Sequence, residues 1–166
     1  IHTPPLDTYV GGERMTAQLV DVWEENGQYR FGTEKLEDWF RRLRAWGVEY
    51  FEMAHLFSQW GAKCAPKIVS ADGRRLFGWD DASTGERYAA FVPQYVRAVV
   101  RAIDRAGVRD RCYFHISDEP SVDAQENYMR CKALVEKEIE GFPIMDALSD
   151  FSFYQTGAVG LPIPAV

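Results

Sequence analysis

The run CYFHISDEPS, residues 112–121, brings five mostly apolar residues straight to two adjacent carboxylates and then to a proline. Asp118 and Glu119 are the residue types of proton transfer. A general acid needs a fixed position and a raised pKa, and burial beside a second carboxylate supplies both. In an extended chain alternate residues share a face. Tyr113, His115 and Ser117 therefore fall on one side, with Cys112, Phe114 and Ile116 on the other, and Glu119 continues the polar parity. The same alternation puts Tyr50 and Glu52 on one face of the preceding strand, which predicts a polar layer holding Glu52 and His115. Pro120 is expected to restrict Glu119 to extended geometry, and Ser121 to cap the following helix. Taken alone, Asp-Glu-Pro is an ordinary strand-to-helix turn; its setting favours catalysis.

Two carboxylates that flank a glycosidic bond normally come from different strands. Adjacent carboxylates suit another division of labour. One protonates the leaving oxygen, and its neighbour polarises a group on the substrate that acts as the nucleophile, as in substrate-assisted glycosidases.

The elements that must position this pair alternate regularly. Strands are expected at 16–22, 48–54, 111–117 and 142–147, and helices at 33–47, 86–107 and 122–141. In the first helix Leu36, Trp39, Phe40, Leu43 and Trp46 share a face, with Thr33 as N-cap and Gly47 as C′ residue. The second opens on a capping box from Ser83 to Glu86, and Pro93 should kink it or mark where its regular part begins. Strand starts recur about every thirty residues, the period of a βαβ unit, apart from an insertion at about 56–86. That insertion contains a small hairpin turning at Asp72–Gly73.

A doubly wound nucleotide-binding sheet would carry a Gly-rich turn after its first strand, whereas the Gly11–Gly12 pair precedes it. The expected fold is therefore α/β, a partial (β/α)8 TIM barrel of about four βα units within a longer chain, one incomplete catalytic domain over residues 1–166. Residues 148–166 read as a further loop that trails off before the next unit.

Loops after such strands build the site. They present Asp21, His55, Asp118 with Glu119, and Asp146. A lone aspartate there is usually a turn residue, and Asp21 is read so. His55 alone would be a structural histidine; the recurrence of ionisable groups at these ends is what speaks for a site. Trp60, Trp79 and Phe77 in the insertion either stack on a sugar or anchor the loop. The two readings balance for Trp60, and anchoring is favoured for Phe77.

Composition narrows the partners. The 166 residues are 46% apolar and 14% aromatic, a globular chain, and its net charge is 19 − 25 = −6. That charge argues against nucleic acid. No apolar run is long enough to span a membrane. Cys64, Cys112 and Cys131 lack CxxC spacing, which reads as three reduced thiols, without a zinc site or a disulfide framework, and favours a reducing compartment.

The segments CYFHISDEP, HLFSQWGAKCAPKI, FGWD and FPIMDALSDFSFY, in this order, resemble the catalytic domain of glycoside hydrolase family 123. The resemblance runs over about residues 1–160. It implies a (β/α)8 barrel acting as a β-N-acetylgalactosaminidase on glycans or glycolipids, with no metal and no organic cofactor. It implies Glu119 as acid and then base, and Asp118 as the residue that orients a 2-acetamido group. The matching motifs also hold His55, Gln59, Trp60, Trp79, Asp146 and Tyr154, with Trp60 and Asp146 expected to touch sugar and Tyr154 the acetamido oxygen. Family members carry further barrel strands, so the implied partners include the missing half of the parent barrel, or a second copy. Two alternatives remain: a glycosidase on a sugar lacking the acetamido group, and a non-catalytic carbohydrate-binding barrel.

Overall fold

The computed structural model of the chain describes residues 18–164, and before them the backbone of three short strands. In chain order the elements are β1 His2–Thr3, β2 Thr8–Val10, β3 Glu13–Met15, β4 Asp21–Glu25, β5 Gln28–Gly32, α1 Glu34–Ala45, β6 Phe51–Met53, β7 Ile68–Val69 and β8 Arg75–Phe77. There follow α2 Glu86–Ala106, β9 Cys112–Tyr113, α3 Gln125–Val135, β10 Met145–Leu148, α4 Ser152–Gln155 and β11 Leu161–Pro164.

The parallel strands lie side by side in chain order. β6 pairs with β1 on one flank and β9 on the other, with Glu52 opposite Tyr113. A parallel bridge from Phe114 to Ile144 carries the pairing on to β10, and β10 pairs with β11 from Met145–Leu161 to Leu148–Pro164. These are small sheets in a mixed α/β fold; the described residues do not close a barrel.

The helices follow the apolar periodicity, except that Trp46, expected on the shared face of the first helix, lies past the end of α1 and is 75% exposed. Leu36, Phe40 and Leu43 of α1 are buried, and so are eight residues of α2, from Tyr88 to Ile103. Gly47 and Gly107 take left-handed φ of 87° and 64° and end their helices as C-terminal glycines do. α2 runs as one helix through Pro93. Its rings stack on the hairpins: Phe91 lies 4.9 Å from both Tyr29 and Phe77. Phe77 is fully buried, the anchor that its place in the insertion suggested. β9 is shorter than the strand expected at 111–117, but along it and the segment that follows Cys112, Phe114 and Ile116 are buried, with Phe114 packed on Phe142 at 5.0 Å.

Several expectations are corrected. The strand expected at 16–22 is not part of the parallel sheet: residues 16–17 lie outside the described ones, and Asp21–Glu25 pairs antiparallel with Gln28–Gly32. The turn is Asn26–Gly27, both at positive φ, the geometry of a tight hairpin. β1 holds the place beside β6 instead. Gly11–Gly12 also falls outside the described residues. Thr33 and Ser121 stand before their helical turns without a side-chain cap, and α2 is headed by Gly85. Ser83 is buried and hydrogen-bonds Cys131, while the Thr33 hydroxyl turns to Glu37 at 2.8 Å. α3 is shorter than 122–141, with a 3-10 turn at Val122–Ala124 before it and turns after Val135. Residues 148–166 hold a helical turn and the parallel strand β11 in place of a trailing loop. Leu161 donates to Ile144 O, so Pro162 and Pro164 fall where a missing N–H faces away from β10, as edge strands allow.

Candidate active site

The exit of β9 is held from both sides. Trp60 N donates to Asp118 O at 2.9 Å, and Glu119 N donates to Ala147 O at 3.1 Å. Consecutive residues are thus tied to two different elements, the loop after β6 and strand β10 itself. The chain must turn sharply between them, and Glu119 takes φ +43°, not the extended geometry expected before proline. A non-glycine residue there costs roughly 1–3 kcal/mol and persists only where its surroundings dictate it. Both carboxylates are partly exposed.

Gln59 Nε2 donates to Asp118 Oδ2 at 2.7 Å. Among the described residues Gln59 is the one side chain hydrogen-bonded to this carboxylate. The Gln59 amide, expected to hold substrate, gives one N–H to Asp118. Trp60 at φ +56° presents its indole to solvent, 59% exposed.

Beneath this mouth lies the predicted polar layer. His115 Nε2 is 3.6 Å from Glu52 Oε2, so the two side chains do meet. His115 Nδ1 is 3.0 Å from Asp146 Oδ1, and the His55 and His115 rings lie 4.6 Å apart. Asp146 is fully buried. Its carboxylate accepts the Tyr128 hydroxyl at 2.6 Å and the Ile116 amide at 3.2 Å, with the Ser117 amide at 3.5 Å. Burial pushes the Asp146 carboxyl above its ordinary value, and the His115, Tyr128 and Ile116 contacts pull it back. Burial and the adjacent carboxylate push the Tyr128 hydroxyl far up, so it stays a donor. Asp146 is thus a buried strut under the segment that carries Asp118, its oxygens facing protein donors.

His55, His115 and Asp146 each offer a ligand atom within 4.8 Å of the others. Two imidazoles and a carboxylate would suit a borderline divalent cation. Here the carboxylate is engaged by an O–H, two amides and an imidazole, the pattern of a hydrogen-bonded core cluster.

The remaining candidates lie on other segments. Trp79, 43% exposed, sits in a turn closed by Asp81 N to Gly78 O at 2.9 Å. Tyr154, 47% exposed, follows β10 on α4 with its ring 5.3 Å from Phe151. Asp21, read as a turn residue, instead opens strand β4 opposite Gly32 and pairs with Lys35 at 2.6 Å. The three thiols are free, and burial pushes Cys112 up to about 12. No helix among the described residues is long and apolar enough to cross a membrane.

Residue-by-residue reading missed Asn127 and Tyr128. Tyr128 shares a buried face of α3 with Cys131 and Val135. A phenol on such a face needs a polar partner, and that was the available signal.

The family model for the glycoside hydrolase 123 catalytic domain matches residues 1–166. The chain belongs to that family. Among solved structures it is similar to a family 123 glycoside hydrolase from Clostridium perfringens, described in a study of glycolipid glycan hydrolysis, at TM-score 0.64 and 12% identity. The match covers 92% of this chain and 28% of that one, so this chain spans little more than a quarter of that relative's length. No curated protein matches the chain.

Proposed function

We propose that this chain carries the acid–base end of a glycoside hydrolase that removes terminal β-linked N-acetylgalactosamine from glycans or glycolipids. The observation that carries the reading is the adjacent Asp118–Glu119 pair, tied to two neighbouring strand exits in a chain of family 123. Glu119 donates its proton to the leaving oxygen as the bond from the anomeric carbon to that oxygen breaks. The carbonyl oxygen of the substrate's own 2-acetamido group forms the new bond to that carbon, giving an oxazolinium ion. Asp118 accepts the acetamido N–H and stabilises the charge. Water then opens the ring while Glu119 takes its proton back, and two inversions retain the configuration. Side chains alone supply this chemistry, so the reading needs no metal or organic cofactor.

A (β/α)8 barrel in the full-length protein fits this reading. The parallel strands follow chain order, and both carboxylates lie past a strand's C-terminal end, where barrel sites sit. Tyr50, exposed, and Glu52, partly so, line the face that further strands of the parent would cover. Trp60, Trp79 and Tyr154 are exposed aromatics suited to stacking on sugar.

The test is hydrolysis of 4-nitrophenyl β-N-acetylgalactosaminide by the full-length protein, wild type beside Glu119→Gln and Asp118→Asn. Glu119→Gln loses most rate with poor leaving groups; Asp118→Asn loses rate even with activated ones. Equal turnover of the matching galactoside would remove the substrate-assisted step. Wild-type rates in both variants would return Asp118 and Glu119 to the role of a turn.

A further inference from the structure

We propose that Gln59 is a positioning residue. By donating its side-chain N–H to Asp118 Oδ2 it fixes the rotation of that carboxylate and keeps Oδ1 turned to the substrate's acetamido N–H. This rests on the reading of Asp118 given above and assigns Gln59 a part in it that is not sugar binding.

The turn that delivers Gln59 is built against its own backbone preferences. Trp60 and Ala62 take φ of +56° and +54°, and Gly61 between them +122°. Non-glycine residues at positive φ persist only when their surroundings dictate it. Here the surroundings are specific. The Ser117 hydroxyl donates to Ser58 O at 2.8 Å and accepts Ala62 N at 3.2 Å. Asn127 Nδ2 donates to Gly61 O and Ala62 O at 2.9 and 2.8 Å, and the Cys131 thiol donates to Ala62 O at 3.4 Å. The strand that bears Asp118 and the helix after it thus hold the turn from two sides.

The output of that turn is two contacts to one residue. Trp60 N holds the Asp118 carbonyl at 2.9 Å, and Gln59 Nε2 holds its carboxylate at 2.7 Å. Backbone and side chain are both fixed, as a group that must meet a substrate atom requires. A neutral amide suits the task. It donates to the carboxylate without neutralising it, so the free oxygen keeps its full capacity as an acceptor. An arginine or lysine at 59 would compete for that charge.

The experiment is steady-state kinetics of the full-length protein on 4-nitrophenyl β-N-acetylgalactosaminide, comparing wild type, Gln59→Ala, Gln59→Glu and Asp118→Asn, each checked for fold by circular dichroism. Gln59→Glu keeps the size but replaces the N–H donor with a second carboxylate. The expected result is a fall in kcat of roughly 10- to 100-fold in both Gln59 variants with KM within about threefold, and Gln59→Glu no better than Gln59→Ala. A loop anchor acting through bulk alone would be rescued by Gln59→Glu, and that rescue overturns the proposal. A rise in KM with kcat unchanged overturns it too, making Gln59 a sugar ligand. If Asp118→Asn is impaired while both Gln59 variants keep wild-type kcat, the inference fails and the reading of Asp118 stands. A folded wild type without turnover of the acetamido substrate removes the reading itself and the inference with it.

Discussion

His115 and Asp146, 31 residues apart in sequence, meet at 3.0 Å in the core, and the Ile116 amide beside His115 donates to the same carboxylate. A side chain of β10 therefore grips the strand exit of β9 two residues before Asp118. The grip reaches α3 as well, through the Tyr128 hydroxyl at 2.6 Å. One buried carboxylate joins two strands and a helix directly under the candidate site.

Asp146→Ala should therefore be costly twice over. It orphans the Tyr128 hydroxyl, the Ile116 amide and His115 Nδ1 in the core, and unsatisfied buried donors cost roughly 1–3 kcal/mol each when they find no new partner. A loss of about 3–5 kcal/mol is expected, the scale of a broken buried network. Urea unfolding measures it. Hydrogen exchange at residues 114–119 should rise before the rest of the chain opens. A loss below about 1 kcal/mol would show that the network relaxes around the gap.

The surface ion pairs predict an acid limb. Arg105 holds the Glu37 carboxyl below its ordinary value, and Arg97 does the same for Glu138. These pairs tie α2 to α1 and to the turns after α3. A folded-state pKa below the unfolded one means that the stabilisation is fully present above the unfolded value, near 4.5, and is lost as pH falls through the lowered folded value. Both arginine partners are half-exposed, so water screens the pairs and each contributes no more than about 0.5–1 kcal/mol. An Arg97→Ala, Arg105→Ala double variant should be less stable than wild type by about 1–2 kcal/mol at pH 7 and converge with it near pH 3. A constant gap across that range would assign the effect to lost packing of the arginine stems.

The architecture was legible where periodicity is long and apolar. α1 and α2 follow their spacing closely, and α2 buries one residue of each turn or more. The β4–β5 hairpin was hidden by the apolar run QLVDV, which reads as a sheet strand; the signal that should have outweighed it was Asn26–Gly27, the dipeptide of a tight hairpin turn. β11 was hidden by its prolines, which are compatible with an edge and not with a central strand. At the site, alternation placed Glu52 and His115 on one face correctly. It could not place Asp146, because its occupancy depends on Tyr128, delivered by a helix packed on the far side. Nor could local pattern find the Gln59–Asp118 bond, which joins residues 59 apart. The left-handed Glu119 follows from two hydrogen bonds, one to the loop after β6 and one to strand β10, a tertiary demand that overrides the local preference before proline.

Gly61 and Gly27 offer a controlled comparison of strain with and without crowding. Both sit at positive φ, +122° and +76°, where an alanine is strained in any surroundings. A Cβ on Gly27 meets nothing within 4 Å, whereas one on Gly61 would stand 2.6 Å from the Ala124 Cβ. Gly27→Ala should cost only the backbone term, about 1 kcal/mol, at a hairpin remote in sequence from Asp118. Gly61→Ala must also push the 58–62 turn away from the 3-10 turn that ends at Ala124, at a further cost of roughly 1–3 kcal/mol, and the Gln59 amide moves with the turn. Urea midpoints of the two variants should therefore differ, and turnover should fall in Gly61→Ala while Gly27→Ala keeps the wild-type rate. The displacement can be followed without activity, as faster hydrogen exchange at the Trp60 and Ala62 amides, which donate to Asp118 O and to Ser58 O with Ser117 Oγ. Equal midpoints, with both amides as protected as in wild type, would mean that the 3-10 turn at Ala124 yields to the added methyl and that the 58–62 turn does not depend on the close approach at Gly61.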